Sequence, residues 1–216
     1  MSLRPFTIAV VAVAALALGA RALADQNPTY KGAESAAERA FVASIQADLG
    51  KRFATTKDAQ AAGYFRYTNE DDTGAISYAN LQWTSQDPKH PSQLWYDKNG
   101  NLLGADFSEP ASSTRPAFFG VNPGRWYQFD AHVHYVTVDP ATGKLSYDHY
   151  IMADKFKAAG FDPAHPTVAD LVKMGKVKST ADVAKVFEFP AVWDLIVWIK
   201  PNPSGAFAYK NPTVKP

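Results

Sequence analysis

Residues 126–152 read WYQFDAHVHYVTV, DPATGK, LSYDHYIM, and this stretch decides the class of fold. Two runs rich in Val, Tyr and other β-formers flank Asp139-Pro-Ala-Thr-Gly-Lys144. In that turn Pro presets a negative φ and Gly supplies a positive one. The pattern predicts an antiparallel hairpin with strands at 126–138 and 145–152. Side chains two apart on a strand share a face, so Asp130, His132 and His134 point the same way. If Asp139 pairs with Lys144, His134 lies opposite His149 and His132 opposite Ile151. Opposed residues have Cβ atoms about 5 Å apart.

That register gathers Asp130, His132, His134 and His149 on one patch. Neutral imidazoles and a carboxylate suit a divalent transition metal such as zinc. Four ligands fill a tetrahedral site, and three with an open position can activate water. A slip of one residue would move His149 to the other face. Val136, Val138, Leu145, Tyr147 and Ile151 share the face, so a core with hydrogen-bonded histidines is the competing reading. Trp126, Tyr135 and Tyr147 are candidate walls of a ligand pocket beside the patch. His-x-His on a strand also marks cupins. Here the downstream acid would fall inside the turn, and no second His-bearing segment follows.

Working outward, Ser35 and Glu38 form a capping box before a helix with Phe41, Ile45 and Leu49 as its buried stripe and Gly50 as its stop. A short helix follows, capped by Thr56 and closed by Gly63. Strands are expected at 64–68 and 76–84, and at 94–97 and 102–107 around an Asn99-Gly100 turn. Beyond the quoted hairpin the period becomes helical at 153–159, 168–174 and 181–187. The run at 192–199 is the most apolar strand. Helices, then antiparallel strands, then a helical segment and a final strand make an α+β fold. The expectation is a curved antiparallel sheet with the N-terminal helices on one face, a helical insertion at 153–189, and a pocket between sheet and helices.

Residues 1–24 read as a secretory signal peptide. Arg4 is its basic start, 6–20 its apolar centre, and Ala22-Leu23-Ala24 its cleavage pattern. The expected location is therefore periplasmic or secreted, with no stable membrane span after cleavage following Ala24. Residues 25–34 read as a flexible lead-in to a single domain at 35–216. The precursor has 216 residues with 22 basic and 21 acidic side chains, 46% hydrophobic and 13% aromatic residues, and no Cys. Arg4 and Arg21 leave with the signal, so the remaining 192 residues carry a net charge of −1. Balanced charge argues against a nucleic-acid partner. The missing Cys excludes disulfides, thiolate metal sites and cysteine nucleophiles.

Several stretches carry a resemblance: Ala61-Ala-Gly-Tyr64, Asp87-Pro-Lys-His-Pro91, Leu94-Trp-Tyr-Asp97, Gly100-Asn-Leu-Leu-Gly104, Pro201-Asn-Pro-Ser-Gly-Ala-Phe207 and Asn211-Pro212. Together they resemble a family of secreted bacterial proteins of unassigned function. That family ends in a hydrophobic strand followed by Asn-Pro-x-Gly-x-Phe. The resemblance covers roughly 55–110 and 190–212 and implies export and one continuous fold. The family's His at the start of the last strand has no counterpart, since Leu195 and Ile196 stand there. The expected function is binding of a small molecule or metal ion in a His/Tyr-lined pocket. The alternatives are a metal-dependent enzyme using the same residues and a structural or partner-binding envelope protein.

Overall fold

The computed structural model describes residues 24–26, 28–83, 87–112 and 114–216. All of the signal-peptide reading except Ala24 lies outside the described residues. Helix α1 (Ala36–Arg52) starts at Ser35, whose hydroxyl accepts from the Glu38 N–H while the Glu38 side chain returns to the Ser35 N–H. It buries Phe41, Val42, Ile45 and Leu49. The helix runs through Gly50 rather than stopping there, and Phe53 caps it by donating its N–H to Leu49 O at 2.8 Å. A glycine costs a helix only about 1 kcal/mol, which a well-packed stripe outweighs. Helix α2 (Thr56–Ala61) is capped by Thr55, one residue earlier than expected, and Gly63 leaves it at φ +89°.

The strands form two antiparallel sheets, confirming the α+β class. The larger contains β1 (Ala24–Gln26), β2 (Phe65–Arg66), β3 (Ile76–Ala79), β4 (Gln93–Tyr96), β5 (Leu102–Pro110), β6 (Tyr127–Phe129) and β10 (Val192–Trp198), in the order β1-β6-β10-β5-β4-β3-β2. The smaller contains β7 (His132–Val138), β8 (Leu145–Met152) and β9 (Val183–Phe189), in the order β8-β7-β9. The strand expected at 126–138 is thus divided at Asp130-Ala131. Its first part joins β10 in the large sheet and its second enters the small one.

Helices α3 (Ala153–Ala158) and α4 (Val168–Lys173) fill the first part of the expected helical insertion. The helix expected at 181–187 is instead one 3-10 turn, Thr180–Asp182, followed by β9. Thr180 and Asp182 imitate a helix start, but the chain beyond them is Val183-Ala-Lys-Val-Phe-Glu-Phe189. Phe187 and Phe189 alternate there to one face, opposite His134 and His132 of β7, and aromatic and β-branched residues favour that pleated setting.

One face of the large sheet carries Leu94, Tyr96, Ala105, Phe107, Leu195 and Val197, and packs on Phe41, Ile45, Leu49 and Ala59 of the N-terminal helices. The cavity described below lies instead on the other face of this sheet. Within the segment read as a flexible lead-in, Tyr30 N–H donates to Gly124 O at 3.1 Å, and the Arg125 guanidinium lies 4.5 Å from the Tyr30 ring centre. Among the described residues, no helix is long and apolar enough to cross a membrane.

Candidate ligand cavity between the two sheets

The other face of the large sheet is unusually polar for its depth. In the β5–β10 ladder Asp194 pairs with Ser108 and Asp106 with Ile196, which puts the two carboxylates on one face, a diagonal step apart. Asp106 is 5% exposed and Asp194 2%. Gln93 of β4 pairs with Asp106. Opposite stands the small sheet, whose inner face carries His132, His134, Tyr150, Phe187 and Phe189. The imidazole of His134 stacks on Phe187 at 5.5 Å and that of His132 on Phe189 at 5.2 Å. Tyr67 closes the join, edge-on to His134 at 5.0 Å and donating its hydroxyl to Gln93.

Between these walls lies a cavity of about 480 Å³. Its lining includes Tyr67, Trp95, Asp106, Phe129, His132, His134, Tyr150, Phe189 and Asp194. Toward the turn at 69–74 it is bordered by Glu70, Asp71 and Asp72, with Asp148 and Tyr209 also in the lining. Asp71 is exposed, and its Oδ1 accepts from Thr73 N at 2.8 Å and Thr73 Oγ1 at 2.6 Å within the turn. Asp72 pairs with Lys210 at 2.5 Å.

Burial controls the protonation of this cavity. Removal from water raises the Asp106 carboxyl well above the ordinary range. The neighbouring Asp194 charge adds to this, and the Trp95 N–H only partly offsets it. Asp194 rises to about 7, burial outweighing its bond from the Ser108 hydroxyl. His134 falls to about 3, through burial and then the neighbouring His132, which outweigh a backbone contact with His149. His132 falls as well, burial outweighing its Nδ1 contact with Asp130 O at 2.7 Å. The imidazoles are therefore neutral near pH 7. Two buried polar atoms of the cavity residues have no hydrogen-bond partner among the described residues: Asp106 Oδ1 and His134 Nδ1. Such atoms are rare in folded proteins and need an explanation.

The residues singled out from sequence divide sharply. His132 and His134 share a face, with ring centres 4.7 Å apart. His149 does not join them. Near the turn Val138 pairs with Leu145 and Thr137 with Ser146, as the Asp139–Lys144 register requires. Tyr147 and Asp148 then stand against Val136 alone, Asp148 at φ +64°, and beyond this bulge Tyr135 pairs with His149 and His134 with Tyr150. The extra residue turns His149 to the far face, where it stacks on Tyr135 at 5.1 Å and reaches Thr137 Oγ1 and Ser146 Oγ at 3.2 Å. Asp130 offers its backbone oxygen to His132 while its side chain is outside the cavity lining. Among the described residues, no group of three or more His, Asp or Glu side chains is placed to hold a metal ion.

The expected walls are displaced too. Trp126 is fully buried in the helix-side core. Tyr135 packs with Val133, Ile151, Phe156 and Leu171 on the far side of the small sheet. Tyr147 lies under the Arg66 guanidinium, 4.4 Å from ring centre to carbon. The residues that replace them are Tyr67, Trp95, Asp106, Tyr150, Phe189 and Asp194. The sequence carried a signal for two of these: Asp106 and Asp194 are lone carboxylates inside the apolar runs 102–107 and 192–198. A central strand keeps a charge there only for a reason. Compared with known proteins, the chain matches no family model, no curated protein and no solved structure.

Proposed function

We propose that this is an exported binding protein that holds a small organic molecule in the cavity between its two sheets. The observation that carries this reading is the pair of buried, unpartnered atoms, Asp106 Oδ1 and His134 Nδ1, on residues that line a cavity of about 480 Å³. Cavities of this size, mostly apolar with a few convergent polar groups, are the usual form of a small-molecule site. A buried acceptor without a donor costs about 1–3 kcal/mol, which a ligand supplying the donor recovers. The geometry favours a small molecule over zinc or another transition metal, because only two imidazoles converge and aromatic rings fill the space around them.

The test is a thermal-shift screen of small molecules against the wild type and a Tyr67→Ala/Phe189→Ala variant. Hits that stabilise the wild type and lose their effect in the variant support the reading. Stabilisation unchanged in the variant places the ligand elsewhere and removes it. Export has its own test: N-terminal sequencing of protein recovered outside the cytoplasm is expected to begin at Asp25.

A further inference from the structure

The charges around the cavity select among ligands. Among the described residues, six carboxylates line it, those of Glu70, Asp71, Asp72, Asp106, Asp148 and Asp194, and no Lys or Arg does. Lys210 neutralises Asp72 at the mouth, and Arg66 acts on Asp148 from outside the lining. Among the described residues the two most buried of these acids have no basic partner: the Asp106 side chain bonds only to the Trp95 N–H and that of Asp194 only to the Ser108 hydroxyl. An anionic ligand would meet repulsion from the mouth inward. A neutral ligand would gain nothing from the acids at the mouth and would leave the buried pair protonated, with Asp106 Oδ1 given no charged donor.

A cation answers both problems. An ammonium group donates N–H bonds, and the unpartnered Asp106 Oδ1 can accept one. The body of the ligand would meet ring surfaces, those of Tyr67, Phe129, Tyr150 and Phe189, and aromatic faces attract cations as well as apolar groups. A bare metal ion uses neither the volume nor the rings.

Building on the ligand-cavity reading above, we infer that the molecule held there is an organic amine, its ammonium group set against Asp106 and Asp194 and its apolar body between the sheets. The acids at the mouth draw the cation in, and the buried pair holds it. Because burial keeps protons on that pair in the empty cavity, entry of the ammonium releases a proton from it to solvent.

The experiment is calorimetry at pH 7 in two buffers of different ionisation enthalpy. The probes are 2-phenylethylamine, hexylamine, 2-phenylethanol and phenylacetate, titrated into wild type, Asp106→Asn and Tyr67→Ala/Phe189→Ala. The expected result is binding of the amines with a buffer-dependent enthalpy, the alcohol weaker by about tenfold or more, and no binding of the acid. Asp106→Asn should abolish the preference for amine over alcohol while keeping its circular dichroism and cooperative unfolding. Alcohol binding as tight as the amine, lost in the double aromatic variant, would overturn the amine assignment and leave the cavity reading standing. Failure of all four probes at millimolar concentration would overturn both.

Discussion

The indole N–H of Trp95 donates to Oδ2 of Asp106 at 3.1 Å, while the other oxygen of the same carboxyl receives no hydrogen bond from any described residue. A half-satisfied acid in the middle of a sheet weakens the fold that contains it. Folded, Asp106 holds its proton well above the ordinary range; unfolded, it ionises freely. Replacement by Asn removes that difference and keeps the shape. We therefore expect Asp106→Asn to be more stable than wild type at pH 8 by about 1–3 kcal/mol, with a smaller gain at pH 5. Urea denaturation at the two pH values reads this out, and a variant less stable than wild type at pH 8 would count against it.

The same groups shape the pH dependence of the whole protein. Asp106 and Asp194 bind protons more tightly folded than unfolded, so the stability they contribute is full below an unfolded pKa of about 4. It is lost as pH rises through the folded values, about 7 for Asp194. Asp148 and Glu188, raised but partly exposed, add slightly in that direction. His132 and His134 have lowered folded values. Their contribution is full above about 6.5 and is lost as pH falls, toward about 3 for His134. Tyr67 and Tyr209, which line the cavity, and Tyr127, packed against Tyr209, are raised and stay neutral throughout. Between about pH 4.5 and 6.5 the two pairs oppose each other, and above 6.5 the acids alone of the two pairs titrate. The expected profile is a plateau followed by an alkaline loss of roughly 2 kcal/mol between pH 6 and 8. It should vanish in Asp106→Asn/Asp194→Asn. Equilibrium unfolding across the range measures it, and stability rising from pH 6 to 8 would refute the assignment.

How far the site could be read from sequence depends on what sets each residue's position. Period-two alternation put His132 and His134 on one face, because that rule needs only the local backbone. His149 required the register of β8, and a bulge broke it. Asp148 at the bulge accepts the Asn69 N–H at 2.8 Å, a contact 79 residues away that no local pattern reveals. β9 was hidden for a related reason: Thr180 and Asp182 look like a helix cap, while its strand character comes from pairing with β7. Asp106 and Asp194 were visible as interruptions, but only the sheet order brings β5 beside β10 and makes them a pair.

Gly104 shows how the motif Gly100-Asn-Leu-Leu-Gly104 serves the cavity. A Cβ there would lie 2.8 Å from Trp95 Cε3 and 2.9 Å from Val197 O. The backbone oxygen is held by the sheet, so the indole must give way. Trp95 also packs edge-on to Trp198 at 5.3 Å, and it carries the N–H that holds Asp106. Gly104→Ala is expected to destabilise the protein by about 1–3 kcal/mol and to shift the near-ultraviolet circular dichroism of the tryptophans. Unchanged stability and spectrum would mean that the indole is not confined as described.

A buried ion pair lies away from the cavity, between Glu38 and Arg125. Glu38 is 1% exposed and Arg125 8%. Glu38 Oε1 accepts from Arg125 Nε at 3.1 Å and from Asn122 N–H at 3.1 Å, while Oε2 closes the helix cap with the Ser35 N–H at 2.8 Å. Arg125 also donates to Gly32 O at 2.8 Å and lies over the rings of Tyr30 and Phe207. Burial alone would raise the Glu38 carboxyl, but these donors, Arg125 first, bring it below its ordinary value. One carboxylate thus ties the start of α1 to the segments at 30–32, 122–125 and, through Arg125, the C-terminal tail. Removing one member of a buried pair strands the other, at a cost of about 3–5 kcal/mol. Arg125→Met should lose that much, whereas Glu38→Gln/Arg125→Met should recover part of it by leaving no buried charge. Urea denaturation of wild type, both single variants and the double variant gives the coupling. A double variant as damaged as the sum of the singles would show that the two side chains act independently.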